Sequence, residues 1–489
     1  MADYLPGILS FPPDKKLSPT DYDKQINNYI KELGKVPIKV WTSSFEKQSL
    51  LDLLNPAENS IPYLIALFEH TATIGKDRKR FDDVLNRTII YYASFDPVQV
   101  RYVGEFWRKH FEWATEAVQY AGLQDLSPLS TALLRLDPTA GTFTTNHVYF
   151  LRACLNNGVP RQALPIIDNP IYAFPHANPK GVPEDLPSED YELSNAYITA
   201  KSGFSGKLHP EYILEYYLLA AHISIGIRSW SRARLFLEYV ILTPSSQHTV
   251  SALQVEAYKK WILVGLLAEG KLFPYPRTAE QSIMKAIKSA SKPYEILGED
   301  FEKRDVRKFQ AEMDVGTQIW YEDGNLTLVK EASEALLRFR VRDLQKTYAA
   351  LPVSRVATHL SFSADATLQM VSQMIRAGHL NASVTPGATA GEAVLRFHVN
   401  DAPASSAAAQ KDDLSAQTAR IERLVSYVQD ADRRSQLTKE YVDVQKRNKR
   451  TGPESDMADQ MDLTWDQPGG AGGVIQGLDE EGDEDIMGS

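Results

Sequence analysis

Between Tyr348 and Asn400 the chain reads as a helix, a turn, a second helix and two alternating extended runs, and few folds accept that order in so short a span. Val353, Val356, Ala357 and Leu360 share one side of the first helix. After the turn Ser361-Phe362-Ser363, the Ser363 hydroxyl is placed to cap the second helix. That helix carries Leu368, Val371 and Ile375 on one face, flanked by Met370 and Met374, and Gly378 stops it. His379 to Val384 and Val394 to Val399 then alternate apolar and polar residues. Pro386, Gly387 and Gly391 between them predict a hairpin with a long tip. Helix, turn, helix and hairpin wing make a winged helix.

The rest of the chain reads as helical. Tyr22, Ile26, Tyr29, Ile30 and Leu33 form one apolar stripe; Phe45, Leu50, Leu51 and Leu54 a second; Tyr63, Leu64, Leu67 and Phe68 a third. Gly34, Pro56 and Gly75 break them, and strands are scarcely suggested. Further on, Ala153, Gly158 and Ala163, then Ala221, Gly226 and Ala233 with Trp230 between, put small residues where antiparallel helices cross. Such pairs cannot bury their own apolar faces and stack into a tetratricopeptide-like solenoid, here with an irregular period. Six prolines from Pro165 to Pro187 predict a long loop and a boundary. A helix from Leu326 through Leu337 leads on through Val341, Leu344 and Tyr348 into the winged segment.

With 489 residues there is room for roughly three domains. The net charge of −10 offers no global attraction to nucleic acid or anionic lipid. A single cysteine, Cys154, excludes a disulfide framework and a thiolate metal cluster and fits a reducing compartment. The longest apolar run, Trp261 to Ala268, is too short to span a bilayer, and the first residues lack the basic-then-apolar pattern of a secretory leader. Asn86-Arg87-Thr88 and Asn325-Leu326-Thr327 therefore match the glycosylation pattern by chance.

Candidate chemistry is thin. Gly265 to Leu272 approaches a P-loop, but Leu272 stands where a hydroxyl should hold Mg²⁺ and the flank WILVGLLAE favours a helix ended by Gly270. Lys201 to Gly206 lacks the Gly-x-Ser-x-Gly spacing of a nucleophile elbow. The ten histidines include no zinc-chelating pair, and His222 and His359, amid apolar helices, read as core histidines. No catalytic residue, cofactor or metal is expected. A winged helix often binds nucleic acid, yet this one offers only Arg355, Arg376 and Arg396 against Asp365 and Glu392, too few cations for a phosphate grip. What remains is a hairpin edge whose main-chain groups invite another strand. Its candidate interface residues are His379, Leu380, Ala382, Val384, Leu395, Phe397 and Val399.

After the small-residue linker of 401–410, Leu414, Ile421, Leu424, Val428, Ala431 and Val442 recur near heptad spacing, interrupted by Gln417, Ser435 and Thr438. So thin a stripe on a helix outside any domain needs a partner helix bundle. Lys446 to Arg450 reads equally as a nuclear localisation signal or a cationic helix end. The Gly-rich, acidic remainder is expected to be disordered.

The helical lead-in, the turn Leu360 to Ser363, the ending MIRAGHLNASV and the wing VLRFHV resemble the C-terminal half of a PCI domain. That module is shared by the proteasome lid, the constitutive photomorphogenesis signalosome and translation initiation factor three. Val255 to Val264, Leu326 to Lys330 and Met374 to Val384 make the chain most similar to the signalosome's third-subunit branch, over about 210–450, with only helical character matching before that. The resemblance implies a non-catalytic scaffold of a complex, found in nucleus and cytoplasm, that removes the ubiquitin-like modifier Nedd from cullins of cullin–RING ligases. It further implies PCI neighbours joined wing to wing (the first and eighth subunits) and a helical bundle of all subunits. A lid or initiation-factor subunit, or a PCI adaptor of RNA export, would share the architecture.

The expected layout is all-α: a helical-repeat solenoid over 1–208, the helical part of the PCI domain over 209–340, the winged helix over 341–400, a linker over 401–410, an assembly helix over 411–450 and an acidic tail over 451–489.

Overall fold

The computed structural model describes residues 4–10, 17–45, 48–75, 77–177, 186–244, 250–276, 278–398, 407–436, 441 and 443–445. Its longer helices are α1 (Pro19–Leu33), α2 (Ser60–Thr73), α3 (Arg78–Ser94), α4 (Gly104–Ala121), α5 (Ser127–Leu136), α6 (Thr145–Asn156), α7 (Pro210–Gly226), α8 (Trp230–Leu242) and α9 (Ala252–Ala268). They continue as α10 (Gln281–Ala290), α11 (Lys292–Glu302), α12 (Val306–Val315), α13 (Thr317–Glu322), α14 (Leu326–Leu344), α15 (Val353–Leu360), α16 (Ala364–Arg376) and α17 (Ala407–Gln436). Local chemistry sets many of the ends. Ser18 accepts from Asp21 N at α1 with Pro19 just inside, and Ser251 and Gln254 form a reciprocal capping box at α9.

The solenoid core is continuous from Ile8 to Phe339. Ala153, Ala163, Ala221 and Ala233 are fully buried where helices cross, as their size requires. Aromatic packing fills the N-terminal part: Trp107 stacks on Phe111 at 5.0 Å between centroids and meets Phe204 edge-on at 6.0 Å. Buried among them, His110 accepts or donates to Tyr92 Oη at 2.9 Å. Burial pushes its pKa down to about 3, so it stays neutral as a packing residue.

Polar groups tie the middle of the solenoid to the start of α14. The buried Lys260 Nζ donates to Glu256 Oε1 and Asn325 Oδ1, both at 3.0 Å, and Asn325 Nδ2 donates to Tyr294 Oη at 2.8 Å. Asn325 is wholly enclosed, so no glycan can reach it. His222, then Lys260, hold the Glu256 carboxyl down at about 2 against the opposing effect of burial. A depressed carboxylate stabilises the fold fully above its unfolded value near 4.5, and that contribution is lost as pH falls toward 2. Glu256→Gln should therefore lower the urea midpoint at pH 6, and the gap to the parent protein should close between pH 4.5 and 2; a gap independent of pH would contradict this reading.

Several expectations meet differences here. Phe45 is not on a helix: β1 (Ser44–Phe45) and β2 (Gln48–Ser49) form a tiny antiparallel hairpin, and only Leu50–Leu53 turns helical behind the Ser49–Asp52 capping box. The proline-rich stretch parts no cores. The Arg101 guanidinium donates to the Pro187 and Glu189 carbonyls and lies 3.7 Å from the Tyr197 ring centroid, stitching the described end of that stretch to the solenoid. The core breaks within α14, between Phe339 and Val341. His359 is exposed rather than in a core. Gly265 lies in α9, so close to its neighbours that a Cβ would meet Lys271 O at 2.9 Å, and Gly270 at φ +73° ends the run. Among the described residues no helix is long and apolar enough to cross a membrane, and no acidic, histidine or cysteine group is placed to hold a metal. A second structural unit begins at Gln417, within α17.

Candidate assembly interface

The second core belongs to the winged helix. Val341, Leu351, Val356, Leu360, Val371, Met374, Leu380, Ala382, Leu395 and Phe397 pack together under the last turn of α14. Ser363 caps α16 by accepting from Ala366 N at 3.3 Å, and Gly378 follows at φ +73°, as the sequence requires. The buried stripe of α16 is Thr367, Val371 and Met374, one position earlier than the apolar pattern suggests, with Leu368 and Ile375 half-buried. Thr367 goes inward because its hydroxyl donates to Ser363 O at 2.9 Å, leaving no unpaired polar atom.

The wing carries a strand that the alternation pattern missed. β3 (Ala350–Pro352) precedes α15 directly, and its three residues are too few to alternate visibly. β4 (Ala382–Thr385) and β5 (Val394–Phe397) complete an antiparallel sheet in the order β3-β5-β4. β5 is thus paired on both sides, and the open edges are those of β3 and β4. The β3 edge is short and holds Pro352, which has no N–H to offer. β4 has four residues and no proline, so it is the better acceptor of an added strand.

Ladder geometry says which groups face outward. Phe397 N donates to Ala349 O toward β3, whereas His398 N donates to Asn381 O toward β4. Bonding alternates along a strand, and Ser383 pairs with Arg396, so Ser383 is tied inward while the main-chain groups of Ala382 and Val384 turn to the open edge. The side chains do the reverse. Leu380, Ala382, Leu395 and Phe397 are buried in the winged-helix core, and Val384 is half-buried. Leu395 and Phe397, expected as contact residues, are enclosed in the free chain and hold the wing in place. His379 is exposed and turns away from this edge, its Nε2 3.3 Å from Arg338 Nη1. Val399 lies outside the described residues.

The second expected surface is on α17, which starts at Ala407 rather than in a linker. Leu414 is 64 % exposed, Ile421 61 %, Leu424 49 % and Val428 59 %, and Val425 joins them at 50 %. Ala431 is exposed, while Val442 and the run Lys446 to Arg450 lie outside the described residues, as do 401–406 and 451–489. Ile421, Leu424, Val425 and Val428 sit at i, i+3, i+4 and i+7, one continuous face of a helix. Val425 was absent from the sequence pattern.

The family model described as COP9 signalosome complex subunit 3, N-terminal helical repeats, matches residues 23–283. The chain is also 32 % identical over 382 residues to the COP9 signalosome complex subunit 3 of Emericella nidulans, covering 74 % of this chain and 75 % of that one. The chain belongs to the COP9 signalosome subunit 3 family. Further subunit 3 relatives are those of Neurospora crassa, 26 % identical with 80 % of this chain and 81 % of that one covered, and of Dictyostelium discoideum, 24 % identical with 73 % and 78 % covered. Membership decides for the signalosome over a proteasome-lid, initiation-factor or RNA-export subunit. The family match also reaches the N-terminal solenoid, where sequence reading found helical character alone.

Proposed function

We propose that this subunit 3 relative is a non-catalytic scaffold of a signalosome acting in nucleus and cytoplasm on Nedd-modified cullins of cullin–RING ligases. It joins a PCI neighbour by adding a strand at β4 and enters a helical bundle through α17. The observation that carries the reading is the outward-turned backbone of Ala382 and Val384 on a proline-free edge. The exposed apolar face of α17 supports the bundle contact. Strand addition draws its affinity from main-chain hydrogen bonds, so it needs no particular side chain at the edge. The first and eighth subunits are the neighbours that family membership implies for the wing.

Val384→Pro is the discriminating variant. It removes one outward N–H and leaves the bonds between Ser383 and Arg396 in place. Co-purification of the wing neighbour should fall about tenfold while the thermal midpoint changes little, because the lost group is unpaired in the free chain. Undiminished co-purification by Val384→Pro would count against strand addition.

A further inference from the structure

Two cavities meet at Arg228. One, about 270 Å³, is walled on its apolar side by Trp230, Leu267 and Phe339 and on its polar side by Arg228, Arg338 and Arg342. The other, about 470 Å³, runs along the turns Gly158 to Gln162 and Gly226 to Arg228 and adds Arg161. Four guanidiniums thus face a furrow that contains one carboxylate, Glu331, on a chain whose net charge is −10. Such a local reversal of sign concentrates anions.

The pairing within the furrow is incomplete. Arg228 Nη2 bonds Glu331 Oε1 at 2.5 Å. Arg338 reaches only the His379 ring nitrogen, and Arg342 lies 5.2 Å from the Phe339 centroid. Neither makes an ion pair among the described residues. They stand at i and i+4 on α14, so both project from one face. Arg228 itself sits at φ +63°, a left-handed position that glycine fills most cheaply. There it closes α7, with Ser229 N donating to Ser224 O at 2.9 Å, and its guanidinium lines both cavities.

A lone carboxylate is satisfied by a single arginine fork. Two guanidiniums without a carboxylate partner among the described residues, with a third beside them, match a dianion with three acceptor oxygens. The apolar wall offers a face for a residue beside the anion, and the second cavity, which shares Arg228 with the first, offers room for chain running on. We infer that this furrow binds a phosphorylated serine or threonine within an extended segment of a partner polypeptide, its phosphate between Arg338 and Arg342 and its apolar neighbour against Trp230 and Phe339. Attachment of that partner is thereby conditional on phosphorylation, and it stands apart from the wing edge and from α17.

The test uses the full chain and fluorescence anisotropy of labelled nonapeptide pools, degenerate except for a central phosphoserine or a central serine. The phosphorylated pool should bind at least about tenfold more tightly, and Arg338→Gln with Arg342→Gln should remove that preference. Arg228→Gly should weaken binding without lowering the melting temperature, because glycine suits the positive φ. Arg355→Gln, an exposed arginine on α15, should change nothing. Equal binding of both pools, binding insensitive to the double variant, or displacement by inorganic phosphate at the peptide's own concentration would each overturn the proposal.

Discussion

Replacing Ile421, Leu424, Val425 and Val428 together with aspartate should strip the chain from its complex and leave its melting temperature where it was. The four side chains are between 49 % and 61 % exposed in the chain by itself, so the fold gains little from them. In a bundle each would be buried, and a fully buried Val, Leu or Ile is worth about 1.5–3 kcal/mol. Four lost seats, each with a carboxylate placed in an apolar seam, exceed the affinity of any ordinary subunit contact. Co-purification by a tagged variant should therefore fall below detection. Normal recovery of partners would dispose of the bundle contact, whereas a lowered melting temperature would show that the face packs within the chain.

Leu395→Asp should do the opposite and damage the fold first. Leu395 is wholly buried in the winged-helix core on the central strand, opposite Val384 on one side and Leu351 on the other. A carboxylate there loses the packing of a leucine and enters an apolar site without a partner, at a cost of about 3–5 kcal/mol. The winged helix should unfold while the solenoid, with its separate core from Ile8 to Phe339, keeps its helices. Circular dichroism with limited proteolysis would read this as a solenoid-sized resistant fragment. A fully resistant chain would contradict the burial of Leu395. The pair of variants separates two roles on one hairpin: Val384→Pro should cost assembly and little stability, Leu395→Asp stability and with it assembly.

The winged helix was readable because its signals are local. Ser363 at the cap, Gly378 at the stop and two alternating runs around Pro386 to Gly391 each act within a few residues; the cap and the stop stand where expected, and the runs expected over 379–384 and 394–399 form strands over Ala382–Thr385 and Val394–Phe397. β3 was not readable, because strand identity over Ala350 to Pro352 comes from pairing with residues more than forty positions away. That third strand decides which edge is open, and the strand-addition proposal therefore rests on the backbone of β4 rather than on the side chains of Leu395 and Phe397. Prolines between 165 and 187 announce a loop, but that its described end is tied to the solenoid rests on Arg101 reaching the Pro187 and Glu189 carbonyls, a pairing far apart in sequence. The furrow at Arg228 lay beyond sequence reading altogether, since its arginines come from positions 161, 228, 338 and 342 and share no local pattern.

Hydrogen exchange of residues 382–385 and 414–436, compared between the purified chain and the chain in its complex, tests the account most directly. Strand addition and bundle entry predict fast exchange of Ala382 and Val384 and fraying along α17 in the isolated chain, both strongly slowed in the complex. Equal exchange in the two states would mean that neither the β4 edge nor α17 is completed by another polypeptide, and the scaffold account would be wrong.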